Sequence, residues 1–115
     1  MSRVKSGKVT HRRHKRLFKQ TKGYFGQRKN VFRRARETLL RALAYAFKGR
    51  KMHKRSMRAL FITRINAAVR SHGMSYNKFV HGMKQANIQL NRKMLSQIAI
   101  FEPTVFKKIV ETARG

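Results

Sequence analysis

The residues of this sequence whose chemistry is most readily interpreted are its cations. Six Lys and Arg fall within the eleven residues 48–58, KGRKMHKRSMR, and no Glu or Asp is interleaved with them. On a helix, like charges three or four residues apart repel one another, so this segment is expected to fray in isolation. A polyanion lying along the segment would convert the repulsion into attraction. The chemistry that this stretch indicates is therefore the binding of phosphates.

Two other kinds of chemical site find little support in the sequence. His11 and His14 stand three residues apart, but Lys and Arg surround them and no acid or Cys stands nearby to complete a metal site. The chain has three acids, Glu37, Glu102 and Glu111, which are too few for a paired-carboxylate mechanism. No nucleophile-elbow, phosphate-loop or dinucleotide-binding pattern occurs. We therefore expect no metal, no cofactor, no small-molecule substrate and no enzymatic activity.

The overall charge points to a polyanionic partner. Thirty Lys and Arg against three acids give the 115-residue chain a net charge of +27, which favours nucleic acid or an anionic surface. Residues 1–60 carry 21 of these cations and one acid, so the first half is interpreted as a binding arm. The chain has no Cys, which fits a reducing compartment. No apolar run approaches the roughly twenty residues that span a bilayer, so we expect no membrane partner.

The elements that must position these cations are helical. Residues 28–72 contain no Pro, one Gly and one acid, which predicts one long helix or two collinear ones. An apolar stripe follows a 3.6-residue period over 31–47, nearly vanishes over 48–58, and returns from Met57 to Val69. The basic N-terminus is expected to be extended through about residue 9 and to form a short helix near Thr10 to Thr21.

Three shorter helices are predicted after the long one. Gly73 is expected to cap the C-terminus of the long helix, and Asn87 is expected to end the helix that follows it. Ser75 and Asn91 are the expected N-caps of the first two short helices, and Pro103 is the expected first residue of the third. The apolar positions expected in the core are Tyr76, Phe79, Val80, Met83, Met94, Leu95, Ile98, Phe101, Val105, Phe106, Ile109 and Val110. With the segment from Met57 to Val69 they predict a small helical bundle.

These patterns together predict an all-α protein, in which a basic N-terminal extension and a long helix lead into a small C-terminal helical bundle. The predicted divisions are a basic arm over 1–27, the long helix over 28–72, and a globular domain over 57–115 that includes the end of the long helix.

A glycine-flanked aromatic pair lies between the arm and the long helix, in KGYFGQR at 22–28. Gly23 and Gly26 allow the backbone to approach phosphates closely. Tyr24 or Phe25 would stack on an unpaired base in one interpretation, and both rings would simply pack on the start of the helix in the other.

Five ordered motifs resemble one known family. They are MSRVKSG at the start, KGYFG followed by KNVFRRA, AYAFKGRK, KRSMRALFITRINAAVR at 54–70, and NRKMLSQIAI at 91–100. They are similar to the bacterial-type large-subunit ribosomal protein L20 family, and the likeness covers nearly the whole chain. One departure is Phe61, where the family usually has a Trp, so any polar contact of the indole N–H is absent here.

The resemblance implies a structural constituent of the large ribosomal subunit that binds large-subunit rRNA and supports subunit assembly. The implied partners are large-subunit rRNA, neighbouring large-subunit proteins and, as in some members, the protein's own messenger RNA. The implied location is a bacterial cytoplasm or a mitochondrial matrix, and the acid-poor N-terminus also resembles a transit peptide. The rRNA-binding residues expected are Arg3, Lys5, Lys8, Arg12, Arg13, Lys15, Arg16, Lys19, Lys22, Tyr24, Arg28, Lys29, Arg33, Arg34, Arg41, Lys48, Arg50, Lys51, Lys54, Arg55, Arg58, Arg64, Asn66, Arg92 and Lys93.

Two hypotheses of other classes remain. An architectural protein on duplex DNA would also use basic helices, although the sequence has no wedge specialised for the minor groove. A membrane-active amphipathic peptide would use the basic and apolar faces of residues 28–48. Comparable affinity for duplex DNA and structured RNA would favour the first of these, and binding to anionic vesicles would favour the second.

Overall fold

The computed structural model describes residues 5–115, and within that range it contains helices and no β-strand. This confirms the all-α class. The elements in chain order are α1 (Gly7–Gln20), a 3₁₀ turn (Gly26–Arg28), α2 (Phe32–Ser71), α3 (Tyr76–Gln85), α4 (Arg92–Phe101) and α5 (Pro103–Arg114). The chain divides into two compact units, Met1–Arg50 and Lys51–Gly115. We call them the first and second units and describe each by itself.

Helix α1 in the first unit begins earlier than the sequence predicted. The carbonyl of Ser6 accepts a hydrogen bond of 3.0 Å from the amide of Thr10, so the first turn already includes Gly7. The expectation of an extended chain is therefore wrong for residues 7–9, and for residues 1–4 it lies outside the described part. The Ser6 side chain makes no capping bond, so the helix start depends on the backbone.

The connection from α1 to α2 is a compact turn. Gly23 and Gly26 have φ values of +86° and +56°, a region that favours glycine. Residues 26–28 form the 3₁₀ turn, and for this reason α2 begins at Phe32 instead of at Arg28. From there α2 continues without a break to Ser71, which settles the choice between one helix and two.

Helix α2 ends where the sequence predicted. Gly73 has φ +74°, its amide donates to the carbonyl of Arg70 at 3.0 Å, and the amide of Met74 donates to the carbonyl of Val69 at 3.2 Å. These two bonds form a Schellman motif, in which a left-handed residue satisfies the last carbonyls of a helix. Gly73 is therefore confirmed as the C-cap.

The remaining helix ends of the second unit follow local signals as well. Asn87 ends α3 with φ +52°, and the amide of Ile88 returns to the carbonyl of Met83 at 2.9 Å. The side chain of Asn91 accepts a hydrogen bond of 2.9 Å from the amide of Met94 and caps α4. Pro103 is the first residue of α5. Ser75 occupies the N-cap position of α3, but its side chain makes no capping hydrogen bond.

The core of the second unit joins the end of α2 to the three short helices. Its buried side chains are Ile65, Val69, Phe79, Met83, Leu95, Phe106, Val110 and Ala113. The rings of Phe79 and Phe106 lie 5.8 Å apart, between α3 and α5. Helices α3 and α5 also meet at Gly82, where an added Cβ would overlap the carbonyl oxygen of Ala113. The absence of a side chain at Gly82 therefore sets how closely these helices approach.

Three expected core residues lie at the surface instead. Phe101 is 74% exposed, and Met94 and Val105 are exposed by 44% each. Helices α4 and α5 pack against each other through narrower faces than the apolar pattern suggested, with Leu95 and Phe106 filling the interior. In residues 5–115 none of the helices is both long enough and apolar enough to cross a membrane.

Candidate nucleic-acid interface

The predicted phosphate-binding cations of the first unit lie just before α1, on α1, in the connection to α2 and on the part of α2 that precedes Lys51. All of those in the described range are exposed: Lys5, Lys8, Arg12, Arg13, Lys15, Arg16, Lys19, Lys22, Arg28, Lys29, Arg33, Arg34, Arg41, Lys48 and Arg50. Arg3 lies outside the described residues. Since the entire chain has only three acids, few of these cations can be neutralised within the protein. The first unit therefore presents a large unneutralised basic surface.

Helix α1 is held against the start of α2 by specific contacts. The rings of His14 and Phe32 stack with centroids 3.9 Å apart and planes 26° from parallel, and Ala35 is fully buried. His14 thus packs on an aromatic ring, while His11 is exposed. In residues 5–115 no three His, Asp or Glu side chains gather as metal ligands would.

Thr21 fixes the turn that joins these two helices. Its side chain is completely buried, and its hydroxyl lies within hydrogen-bonding distance of the carbonyls of Lys29 at 3.3 Å and Leu17 at 3.4 Å. A hydroxyl donates one hydrogen bond at a time, so these acceptors share it. The bond to Lys29 links the end of α1 to the residues just before α2.

Sequence reasoning missed an arginine of this surface, Arg36. Arg36 lines the same cleft as Arg13 and Arg16, together with Phe32 and Leu39. Arg36 lies at helical spacing from Phe32 and Leu39, two apolar residues of the stripe predicted over 31–47. Recognising it required knowing that α1 packs on this side of α2.

The aromatic pair in the turn divides into one exposed and one half-buried ring. Phe25 is 93% exposed, whereas Tyr24 is half-buried. The interpretation that both rings pack on the helix start is therefore wrong for Phe25. Phe25 is the ring of the pair that is open to a stacking partner, and it was absent from the predicted site, which named Tyr24.

The central part of α2 carries the densest run of cations. Lys48, Arg50, Lys51, Lys54, Arg55 and Arg58 are all exposed. The two ion pairs that the described residues show lie elsewhere, between Arg41 and Glu37 at 2.7 Å and between Lys107 and Glu111 at 4.0 Å. Both are solvent-exposed i,i+4 pairs, which contribute little to stability. The run at 48–58 is thus arranged along one continuous helix with no acid interleaved.

The other predicted contacts of the second unit lie at the start of α4 and towards the end of α2. The Nε of Arg92 donates a hydrogen bond of 3.0 Å to the hydroxyl oxygen of Tyr76. Arg92 and Tyr76 both line a hollow of about 150 Å³ that Ile65, between Arg64 and Asn66, also lines. Lys93 and Arg64 are exposed. Arg92 thus borders the same hollow as Ile65, the chain neighbour of Arg64 and Asn66, and its hydrogen bond adds Tyr76, which sequence reasoning had assigned only to the core.

Asn66 already has a partner within its own helix. Its Oδ1 accepts a hydrogen bond of 3.3 Å from the Nε of Arg70, one turn further along α2. The Asn66 amide nitrogen remains as the donor for another group, and the contact gives Arg70 a fixed direction.

These observations define a small, strongly basic, all-helical protein of the class that binds nucleic acid. The comparisons with known proteins narrow that class. The family model described as ribosomal protein L20 matches residues 3–109. The chain therefore belongs to the ribosomal protein L20 family, as its motifs indicated.

Similar proteins cover nearly the full length of the chain. A large ribosomal subunit protein bL20 of Mycoplasma capricolum is 55% identical over 114 residues, which are 99% of this chain and 96% of the relative. Its counterpart in Caldanaerobacter subterraneus is 51% identical over 114 residues, which are again 99% of this chain and 96% of the relative. That of Parvibaculum lavamentivorans is 50% identical over 115 residues, or 100% of this chain and 98% of the relative.

Proposed function

We propose that this chain is a structural constituent of the large ribosomal subunit that binds large-subunit rRNA directly and supports subunit assembly. The observation that carries the proposal is the family match over residues 3–109, in a chain with a net charge of +27. The relatives are named as large-subunit proteins, and a structural role requires no catalytic group.

The RNA contacts are proposed to come chiefly from the first half of the chain. In this proposal a basic arm over 1–27 and the long helix α2 (Phe32–Ser71) follow the RNA backbone, and a globular domain over 57–115 makes a second contact. Double-stranded RNA presents a deep, narrow major groove that side chains cannot read, so a basic helix recognises phosphate positions and shape more than base sequence. The exposed cations at 48–58 suit such binding because they lie along one unbroken helix.

The second unit is proposed to contact an RNA junction through Arg64, Asn66, Arg92 and Lys93. Arg92 is suited to this role because the hydrogen bond from its Nε to Tyr76 leaves the two terminal nitrogens of its guanidinium to bind a phosphate. Neighbouring large-subunit proteins are further partners. Binding of its own messenger RNA through this unit is a narrower proposal that follows from the resemblance to family members that repress their own synthesis.

The compartment is proposed to be that of a bacterial-type ribosome, in a bacterial cytoplasm or a mitochondrial matrix. The relatives quoted above are bacterial.

A competition experiment tests the proposed function. The purified chain is titrated with large-subunit rRNA, small-subunit rRNA and duplex DNA at roughly 0.15 M salt, where surface charges are partly screened. We expect large-subunit rRNA to bind at least about tenfold more tightly, equivalent to about 1.4 kcal/mol. Equal affinity for duplex DNA would contradict the proposal and favour an architectural DNA-binding protein.

A further inference from the structure

A cleft in the first unit brings cations from two helices together over an apolar floor. It has a volume of about 420 Å³, and its lining includes Arg13, Arg16 and Leu17 of α1 and Phe32, Arg36 and Leu39 of α2. This volume falls within the roughly 300–1,000 Å³ typical of small-molecule sites. The cleft is thus large enough for one nucleotide and too confined for a double helix.

Helical spacing explains why these residues converge. Arg13, Arg16 and Leu17 are separated by three and four residues, as are Phe32, Arg36 and Leu39. Residues at these spacings share one face of a helix. Each helix therefore contributes arginine and apolar side chains from a single face, and the two faces border the same cleft.

The contacts between α1 and α2 define the floor of the cleft. His14 stacks on Phe32 at 3.9 Å, Ala35 is fully buried, and Thr21 links the end of α1 to Lys29. These contacts all lie within the first unit. The floor residues Leu17, Phe32 and Leu39 are half-buried, so each keeps a surface that a flat apolar group can cover.

The three guanidinium groups have no partner in the part of the chain that the structure describes. No ion pair or side-chain hydrogen bond there engages Arg13, Arg16 or Arg36. The nearest acid on α2, Glu37, lines an adjoining hollow with Arg36 and is already paired with Arg41 at 2.7 Å. Three like charges on one cleft repel one another, and a bound anion would relieve that repulsion.

We propose that this cleft holds one unpaired nucleotide of the bound RNA. The phosphate lies against the guanidinium groups of Arg13, Arg16 and Arg36, and the base covers the apolar floor of Leu17, Phe32 and Leu39. Guanidinium groups bind phosphate oxygens with paired hydrogen bonds, and bases stack on apolar and aromatic side chains. The inference rests on the proposed RNA-binding function and specifies which part of an RNA this unit selects.

The surrounding charge favours a nucleotide within an RNA chain over a free one. Arg12, Lys15 and Lys19 lie exposed on the same helix as Arg13 and Arg16. A free nucleotide offers phosphate at one position, whereas an RNA strand passing through the cleft also presents phosphates to these neighbouring cations. We therefore assign the cleft to RNA, and free nucleotide is a separate arm of the test.

The test compares three RNA probes with the full-length protein. Each is a duplex of about 16 base pairs, roughly what one double-stranded-RNA module spans. One is fully paired, one carries a single bulged uridine, and one carries an abasic residue at the bulge. We expect the bulged uridine to bind at least about fivefold more tightly than the paired duplex, as a stacked base allows. The abasic probe should lose most of that preference.

Two arginine variants locate the preference in the cleft. Arg36→Gln should abolish the preference for the bulged probe over the paired duplex, because Arg36 lines the cleft. Arg34→Gln removes the same charge from an exposed position of the same helix outside the cleft. It should therefore lower the affinity for all three probes by the same factor. Replacing the uridine with 4-thiouridine should yield photocrosslinks to Leu17, Phe32 or Leu39. Circular dichroism of both variants checks that the helices are retained.

The outcomes separate this inference from the proposed function. Equal affinity for paired and bulged RNA, or a preference that survives Arg36→Gln, would overturn the nucleotide site and leave RNA binding intact. Specific binding of adenosine monophosphate at the cleft without a preference for bulged RNA would overturn its assignment to RNA. Failure of all probes and of large-subunit rRNA to bind would instead contradict the proposed function.

Discussion

Arg92 and Tyr76 are joined across sixteen residues by a hydrogen bond of 3.0 Å, from the arginine Nε to the tyrosine hydroxyl. The bond connects the first residue of α4 to the first residue of α3. Both side chains are half-buried, so the contact is shielded in part from solvent. It fixes the plane of the guanidinium group while leaving its terminal nitrogens available to a phosphate.

The first prediction concerns this positioning bond. Tyr76→Phe keeps the ring but removes the acceptor, so Arg92 loses its fixed direction. We expect the affinity for large-subunit rRNA to fall about three- to tenfold, in line with the 0.5–1.5 kcal/mol of a typical hydrogen bond. Binding is measured by fluorescence anisotropy with full-length protein.

Two further variants distinguish positioning from a general structural effect. Tyr45→Phe is the matched control, because Tyr45 is exposed on α2, and we expect its rRNA affinity to be unchanged. In an Arg92→Ala background, Tyr76→Phe should have little additional effect, since the two residues act together. Additive losses in the double variant would contradict the positioning role of Tyr76.

The second prediction concerns the close approach of α3 and α5. A methyl group at Gly82 would overlap the backbone of Ala113, so Gly82→Ala forces the helices apart. We expect a loss of about 1–3 kcal/mol in the free energy of unfolding, typical of overpacking. Urea denaturation followed by circular dichroism measures it.

Gly49→Ala is the control for that substitution. Gly49 lies within α2 with open space around its Cα, so alanine should favour the helix by up to about 1 kcal/mol. Opposite signs for the two glycine variants would support the packing explanation. Equal effects of the same sign would show that helix propensity alone governs both positions.

The third prediction concerns the link between α1 and α2. Thr21→Val retains the shape of the buried side chain but leaves the carbonyl of Lys29 without its hydroxyl donor. We expect the free energy of unfolding to fall by about 0.5–1.5 kcal/mol, the net contribution of a typical hydrogen bond. Amide hydrogen exchange in α1 should accelerate accordingly.

Thr63→Val serves as the reference for Thr21. The hydroxyl of Thr63 donates to the carbonyl of Ala59 at 3.0 Å, but this threonine is exposed. Water can replace the lost bond there, so we expect little change in hydrogen exchange. If the two variants behaved alike, the buried bond of Thr21 would not be what holds α1 in place.

The fourth prediction is a steep dependence of RNA binding on salt. Binding to many phosphates releases counterions, so affinity for large-subunit rRNA should fall about a thousandfold or more between 50 and 200 mM salt. Replacing Arg50, Arg55 and Arg58 by Gln should make the slope of log K against log salt shallower by about two to three. Replacing Lys78, Lys107 and Lys108 by Gln removes as many charges from positions outside the predicted interface, and should change the slope less. Equal changes of slope in the two triple variants would indicate that RNA binding depends only on the net charge of the protein.

Local signals in the sequence were sufficient to predict much of this fold. Gly73, Asn87, Asn91 and Pro103 each act within one helix turn through their own backbone or side-chain chemistry. The period of the apolar residues likewise predicted the buried side of α3, because Phe79 and Met83 face the core. Such features depend on neighbours only a few residues away.

Contacts between residues far apart in the chain could not be predicted from the sequence. Phe101 and Met94 fit an apolar stripe but are exposed, because which side of α4 is covered depends on where α5 packs. In the apolar stripe predicted over 31–47, Ala35 is buried, whereas Leu40 and Leu43 are exposed to solvent. The role of Tyr76 and the place of Arg36 in a cleft follow from the same long-range packing. The interface residues themselves stay predictions.

The most direct test of the central claim is to follow the protein into ribosomes. A tagged copy is expressed in a bacterial host, ribosomal particles are separated on a sucrose gradient, and each fraction is quantified by mass spectrometry. We expect the protein in large subunits, in amounts close to those of other large-subunit proteins, with rRNA crosslinks at Arg50 to Arg58. Recovery in ribosome-free fractions, or crosslinking chiefly to DNA, would contradict the account.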